Sequence, residues 1–410
     1  MGVPRFPLGA AAVLAMLASS GSAVAAVPDR VAQDDATVVC GRHDRDRALA
    51  QMRAAGFSHV RINVIHARGA DGVGLVACNR LPATLADYDS AVAAVRAVGL
   101  TPQLTLVWPH QDDSAAIASW MGEMAAHFGA DVSRFSVLNE PDLSIPASDD
   151  CDPQAVQRMV STGALTLSTR MRLVKRYVRH RGRYVYRVRS GSWKPGRGYR
   201  PRRMRLYRWV LRPQAVVETG SDSAQNVLTV RQGCLAIQRG RKYHGIFDAA
   251  APAIRSAAPG AQVLAGETSP VAGVDLFIGQ ALPLAADGWA HHCYQWDLTP
   301  ATSTGGFGIG DTARVQSLVG MPLYYTECGY PNPDAEWDQT RWNGLFTHDN
   351  LPAAYAQMWQ FAKAQGVREM SQYGWCQTPA GQWDTSIMAG AECTESEEYR
   401  TVRDVIASWG

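Results

Sequence analysis

From Thr37 to Ser408 the chain repeats one local pattern, a short β-branched or aromatic run followed by a helical stretch with a Gly or Pro stop. Val60-Arg61-Ile62-Asn63-Val64-Ile65 alternates as a strand does. Tyr88 to Val98 is helical up to Gly99, Gln103 to Trp108 is the next strand, Ile117 to Phe128 the next helix, and Phe135 to Leu138 the strand after it. Strands spaced by helices pair in parallel, because parallel neighbours need a long crossover. Upstream, Thr37-Val38-Val39-Cys40 predicts the first strand, Arg47 to Ala55 a helix, and Val31 to Asp35 a linker. After a break from Ser144 to Cys234 the rhythm resumes. It gives a helix over Tyr243 to Ala258, strands at Gln262 to Glu267, Trp289 to Tyr294 and Leu323 to Glu327, and a last strand at Met370 to Trp375. Helices are expected around Leu276 to Leu284, Ala353 to Gln365 and Tyr399 to Ser408. Eight such strands predict an α/β fold, the (β/α)8 TIM barrel.

Residues 1–26 have the layout of a secretory signal, with Arg5, an apolar stretch through Leu17 and the small residues Ala23-Val24-Ala25-Ala26. The barrel is assigned to 27–143 and 235–410, and a basic insertion to 144–234, between the fourth strand and its helix. No later run is long and apolar enough for a membrane span, so the mature chain is expected to be secreted or associated with the cell envelope. Eight cysteines suit an oxidising compartment, and none forms a Cys-x-x-Cys pair. Cys151 and Cys234 bracket the insertion, and a bond between them would tie its stems together.

The net charge of +3 conceals an asymmetry: Pro153 to Val217 holds 18 Lys/Arg and no Asp or Glu, leaving −15 on the rest. Period-two alternation around Arg183 to Arg189 and Arg203 to Val210 predicts hairpins, turning near Arg181-Gly182-Arg183 and Lys194-Pro195-Gly196. Such a block is either a solvated appendage or a docking surface for an anionic polymer. Interleaved Tyr and Arg also suit nucleic acid, but export argues against that partner.

Chemistry is concentrated where two strands end in carboxylates. Pro141 stops the strand at Asn139-Glu140-Pro141, and a second strand ends at Thr326-Glu327. In a parallel barrel these are the catalytic ends. Two such carboxyls can cleave a glycosidic bond with retention, Glu140 as acid/base and Glu327 as nucleophile. Either Glu alone would more often be an ordinary loop carboxylate. Glu267 is a third strand-end carboxylate that would line the cleft or replace one of the pair.

In these residues the chain resembles the superfamily of retaining glycoside hydrolases built on a (β/α)8 barrel, the clan of cellulases, mannanases and β-xylosidases. The resemblance covers Thr37 to Ser144 and Cys234 to Trp409. It implies that the acid/base follows Asn139 on strand four and that the nucleophile ends strand seven. It further implies that Arg61 on strand two orients the nucleophile. From His292-Cys293-Tyr294 it implies a pocket histidine and Tyr294 as partner of Glu327, and it implies that Trp375 stacks on the sugar. The third strand departs from the pattern at Trp108-Pro109-His110, so Trp108 is either a sugar platform or a core residue.

Physical reasoning adds that Asn139 can donate to the sugar 2-hydroxyl and that Arg61 would hold Glu327 ionised while Glu140 keeps its proton. Of His291 and His292, adjacent on one strand, one should face the barrel axis and the other away. The sequence offers no convincing metal-ligand spacing and no Gly-x-Ser-x-Gly elbow, so no cofactor is expected. The expected partner is an oligo- or polysaccharide. The rival from another class is a non-catalytic cell-surface carbohydrate-binding protein that uses the barrel as scaffold and the insertion as anchor.

Overall fold

A computed structural model describes residues 27–66, 77–78, 81–109, 113–147, 166–177, 207–218, 227–271, 273–294, 308–333, 347–377, 384–390 and 392–409. Eight parallel strands close into a barrel. They are β1 (Asp29–Gln33), β2 (His59–Ile65), β3 (Thr101–Val107), β4 (Arg134–Val137), β5 (Gln262–Thr268), β6 (Gly288–His292), β7 (Leu323–Glu327) and β8 (Glu369–Tyr373). Each is followed in the chain by a helix: α1 (Arg45–Ala54), α2 (Leu85–Ala97), α3 (Ser114–Phe128), α4 (Val230–Ala257), α5 (Val274–Ala281), α6 (Thr312–Val319), α7 (Leu351–Ala364) and α8 (Glu397–Ala407). The longest ladder joins β2 to β3 from His59↔Thr101 to Ile65↔Val107. β1 closes the ring by pairing with β8 from Asp29↔Glu369 to Gln33↔Tyr373.

The start of the barrel differs from the sequence expectation. Asp29–Gln33, within and just before the stretch expected to be a linker, is the first strand, and Asp35–Val38 is a single helical turn. Asp34 decides this: its carboxylate accepts from the Thr37 amide at 3.0 Å and hydroxyl at 2.9 Å, a cap that overrides the β-branched preference of Thr37-Val38. Val31, Ala32 and Gln33 are each fully buried, so burial rather than propensity makes the strand.

Alternation along the strands separates two environments. Val60, Ile62 and Val64 join the large core shared with the helices, while Arg61 and Asn63 face the other way. Inside the ring, Leu264, Ala290 and Tyr324 form a small apolar cluster of their own. At the strand starts Arg134 donates to Glu369 at 2.6 Å, Asp29 at 2.8 Å and Gln103 at 3.0 Å. That end of a parallel barrel is where interactions serve stability. Helices pack by one apolar stripe, as in α8, which buries Tyr399, Val402, Val405 and Ile406.

The chain divides into two compact units, one reaching Ser148 and resuming at Ala236, the other Asp149–Leu235. In the second, Thr166–Tyr177 pairs antiparallel with Tyr207–Glu218 over twelve residues, and Val227–Thr229 adds to the latter. The leader, the expected hairpin turns, the run from Arg183 to Arg189, and Cys151 lie outside the described residues. Described disulfides join Cys293 to Cys328 and Cys376 to Cys393. No described helix is long and apolar enough to cross a membrane.

Candidate active site

Irregular backbone at the strand ends aims the side chains. Three non-glycine residues with left-handed φ gather here: Leu138 at +66°, Glu140 at +44° and Glu267 at +50°. Each such conformation costs on the order of 1–3 kcal/mol and persists only where surrounding contacts fix it. After Asn139 the chain enters the turn Pro141–Ser144, whose Leu143 and Ser144 amides donate to the Glu140 carbonyl at 2.9 and 2.8 Å. The Glu140 amide itself donates to the Glu267 carbonyl at 2.9 Å, joining the ends of β4 and β5.

On β5 the register slips between Gly266 and Thr268. Leu264 belongs to the inner cluster and Ala265 to the outer core, so simple alternation would send Glu267 outward. The extra residue of the bulge turns it inward instead. Gly266 makes the bulge possible, with φ +99° and only 2.4 Å between an added Cβ and the Ala290 carbonyl oxygen.

The resulting cluster is dense. Arg61 donates to Glu327 at 2.6 Å, Asn139 at 2.9 Å, Glu267 at 3.0 Å and Thr105 at 2.8 Å, and also to Gln33. The Tyr294 hydroxyl donates to the other oxygen of Glu327 at 3.0 Å. His292 sits centrally, Nε2 at 3.1 Å from Glu267 and Nδ1 at 3.1 Å from Glu140 and 3.4 Å from Glu327. His291 points the other way, onto the Thr268 hydroxyl at 2.7 Å. Ligand atoms of Glu140, His292 and Glu327 all lie within 4.8 Å of one another.

Solvent reaches this cluster unevenly. The Glu140 side chain is 31% exposed, Glu327 7%, and His292 and Glu267 not at all. Burial works against the Arg61 cation, yet the charges of Glu267 and Glu327 outweigh it and keep the guanidinium ionised. Burial likewise disfavours the His292 cation, but the charge of Glu327 and hydrogen bonds to Glu140 and Glu267 raise it to about 10. For Glu267 burial opposes ionisation, but Arg61, His292 and Thr326 prevail and bring it down to about 2. Burial and the Glu327 charge keep Tyr294 a phenol, hence a donor. The three-residue group has the spacing to hold a cation, and both imidazole nitrogens face carboxylates.

Six of the eight expected residues meet here: Glu140, Glu327, Arg61, Asn139, His292 and Tyr294. Two are placed otherwise. Trp375 is fully buried, edge-on to Phe57 at 5.4 Å and Tyr399 at 5.7 Å, with no face left for a sugar. Two residues earlier, half-buried Tyr373 ends β8 edge-on to Tyr294 at 5.8 Å, and it is the aromatic at this strand end that reaches the cluster. Nothing in the sequence singled out Tyr373, and the resemblance pointed to Trp375. Trp108 is half-buried and stacks on His66 at 3.7 Å, with Trp120 against it at 5.6 Å. Sequence reasoning also left out Gln33, Thr105 and Thr326, whose hydroxyl and amide groups carry no motif.

No family model matches the chain, and no curated protein matches it. Solved structures do. A family 39 glycoside hydrolase from the gut symbiont Bacteroides cellulosilyticus WH2 is similar over 93% of this chain with a TM-score of 0.53 at 11% identity. This chain spans 64% of that protein's length. A GH39 β-xylosidase from Caulobacter crescentus aligns over 94% of this chain and 72% of its own, at 16% identity and a TM-score of 0.48. The similarity at this identity is one of fold. The chain has the (β/α)8 barrel found in clan A glycoside hydrolases.

Proposed function

We propose that the chain is an exported retaining β-glycosidase, with Glu140 as acid/base and Glu327 as nucleophile. The observation that carries this reading is the approach of one Glu140 oxygen to within 4.8 Å of one Glu327 oxygen. Retaining pairs sit about 5–5.5 Å apart, and inverting pairs about 6.5–9.5 Å, to leave room for a water. Arg61 and Tyr294 bind opposite oxygens of Glu327 and orient it for attack on the anomeric carbon. Asn139 spends its carbonyl on Arg61, which turns its amide nitrogen into the donor for a sugar 2-hydroxyl. Glu140, the most exposed of the three carboxylates, protonates the leaving oxygen and then deprotonates the incoming water.

The test is an aryl β-glycoside panel with wild type, Glu140→Ala and Glu327→Ala. The reading expects turnover in the wild type and a loss of about 10²–10⁴-fold or more in each variant. Equal background rates for all three, with polysaccharide binding retained, would leave a carbohydrate-binding protein instead.

The leader-like N-terminus and the disulfides Cys293–Cys328 and Cys376–Cys393 support export. The stretch Pro153 to Val217, with 18 basic residues and no acidic one, is proposed as the dock for an anionic polysaccharide. Its deletion should weaken binding to an acidic polysaccharide column and flatten the salt dependence, with small-substrate turnover kept. Unchanged retention on the column overturns the docking role.

A further inference from the structure

Glu267 cannot take part in the bond-breaking step as either member of the pair. It is wholly buried, and both oxygens are occupied: Oε1 accepts from Thr105 at 3.2 Å, and Oε2 from Thr326 at 2.6 Å, Arg61 at 3.0 Å and His292 at 3.1 Å. A carboxylate with no exposed surface and a donor on each oxygen is out of a sugar's reach. The sequence alternative in which it replaces Glu140 or Glu327 is therefore set aside. Yet a buried carboxylate on a bulge with left-handed backbone is costly to keep, and its four donors include both cations of the site.

We propose that Glu267 is a positioning residue that keeps His292 an imidazolium, a cation shared by Glu140 and Glu327 through one N–H. The inference rests on the glycosidase reading above. During double displacement the negative charge of the pair changes place. In the free enzyme Glu327 is the carboxylate and Glu140 holds the proton. Attack of Glu327 on the anomeric carbon makes the glycosyl ester, while the proton of Glu140 leaves with the departing oxygen, so Glu140 becomes the carboxylate. Water then returns its proton to Glu140 as its oxygen displaces Glu327.

Nδ1 of His292 lies 3.1 Å from Glu140 and 3.4 Å from Glu327, so its single N–H reaches whichever oxygen is negative. It also fixes the transferable proton. With Oε1 of Glu140 accepting from His292, the proton belongs on Oε2. Both features need hydrogen on Nδ1 and Nε2 together, and the Nε2 hydrogen is held by the Glu267 charge. A neutral ring has one N–H, and with it on Nε2 the Nδ1 lone pair would demand the proton of Glu140. The charged groups around the ring are Glu140 and Asp142 after β4, Glu267 on β5, Glu327 on β7 and Arg61 on β2. Tyr294 follows β6 with its ring centre 6.1 Å away.

The experiment pairs ¹⁵N NMR of His292 with kinetics of Glu267→Gln on p-nitrophenyl and 2,4-dinitrophenyl glycosides. The wild-type ring should remain an imidazolium through pH 8, and in Glu267→Gln it should be neutral at that pH. Turnover of both substrates should fall about 10²-fold with KM within threefold, and the alkaline limb of the pH profile should move down by at least one unit. Because the dinitrophenolate leaves without acid assistance, a loss on both substrates separates Glu267→Gln from a defect in proton delivery alone. An imidazolium that persists at pH 8 in Glu267→Gln, or unchanged rates on both substrates, overturns the inference. If Glu267→Gln does not fold, Glu267→Asp, which keeps the charge but withdraws it from Nε2, should shift the limb in the same direction by a smaller amount. No shift in Glu267→Asp counts against it. The ring titration needs no turnover, so wild-type protein that fails on every glycoside while showing the predicted titration refutes the glycosidase reading alone.

Discussion

A Glu140 oxygen and a Glu327 oxygen lie within 4.8 Å of each other although they end strands on opposite sides of two intervening ones, β5 and β6. That gap is too narrow for a water between carboxylate and sugar. The first-formed hydrolysis product should therefore keep the anomeric configuration of the substrate. Proton NMR of the anomeric signal in the first minutes of turnover checks this, and initial appearance of the opposite anomer contradicts the assignment of Glu327 as nucleophile.

The Cys293–Cys328 disulfide joins the residues that directly follow His292 and Glu327. The Cys293 amide also donates to the Glu327 carbonyl at 2.8 Å. Cys293→Ser with Cys328→Ser should lower stability by about 2–4 kcal/mol. It should reduce turnover more than the equivalent change at Cys376 and Cys393. Urea unfolding alongside kinetics at a temperature where both variants are folded distinguishes loss of placement from loss of fold.

Asp142 sets a pH window for the loop that carries Glu140. Burial, helped by the Glu140 charge, raises its carboxyl to about 7 against hydrogen bonds from Ser269 that pull it down. The folded value stands above the usual 3.8. Its contribution to stability is thus full below that value and is lost as pH rises through about 7. Asp142→Asn, which keeps an acceptor for the Ser269 amide, should make the melting temperature less dependent on pH between 5 and 8. A wild-type and variant difference that stays constant over that range speaks against it.

Trp375, expected from the resemblance to stack on a sugar, is fully buried, and Tyr373 stands beside Tyr294. Trp375→Ala should cost about 3–5 kcal/mol of stability, because it empties a site packed by Phe57 and Tyr399. Tyr373→Ala, half-buried beside Tyr294, should instead raise KM with a smaller loss of stability. Thermal unfolding and Michaelis–Menten kinetics on both variants settle the order.

The barrel and much of its site were legible because they depend on local signals. Apolar period two at Val60 to Ile65 and Gln103 to Trp108, glycine stops such as Gly99, and a proline after Glu140 act over a few residues. Each survives in the folded chain as a strand, a helix end or a strand terminus. The first strand was not legible, since Asp29-Arg30-Val31-Ala32-Gln33 has weak β-preference and is made a strand by the two neighbours it closes against.

The sequence by itself determined seven of the eight barrel strands, the alternation with helices and the placing of Glu140 and Glu327 at strand ends. Tertiary structure decided which side chains face the axis. One bulge at Gly266 turns Glu267 inward to meet Arg61 and His292, and the path after β8 buries Trp375 while leaving Tyr373 beside Tyr294. The physical reason is that facing direction along a strand reverses with a single added residue, and what permits that residue is contact with the neighbouring strand.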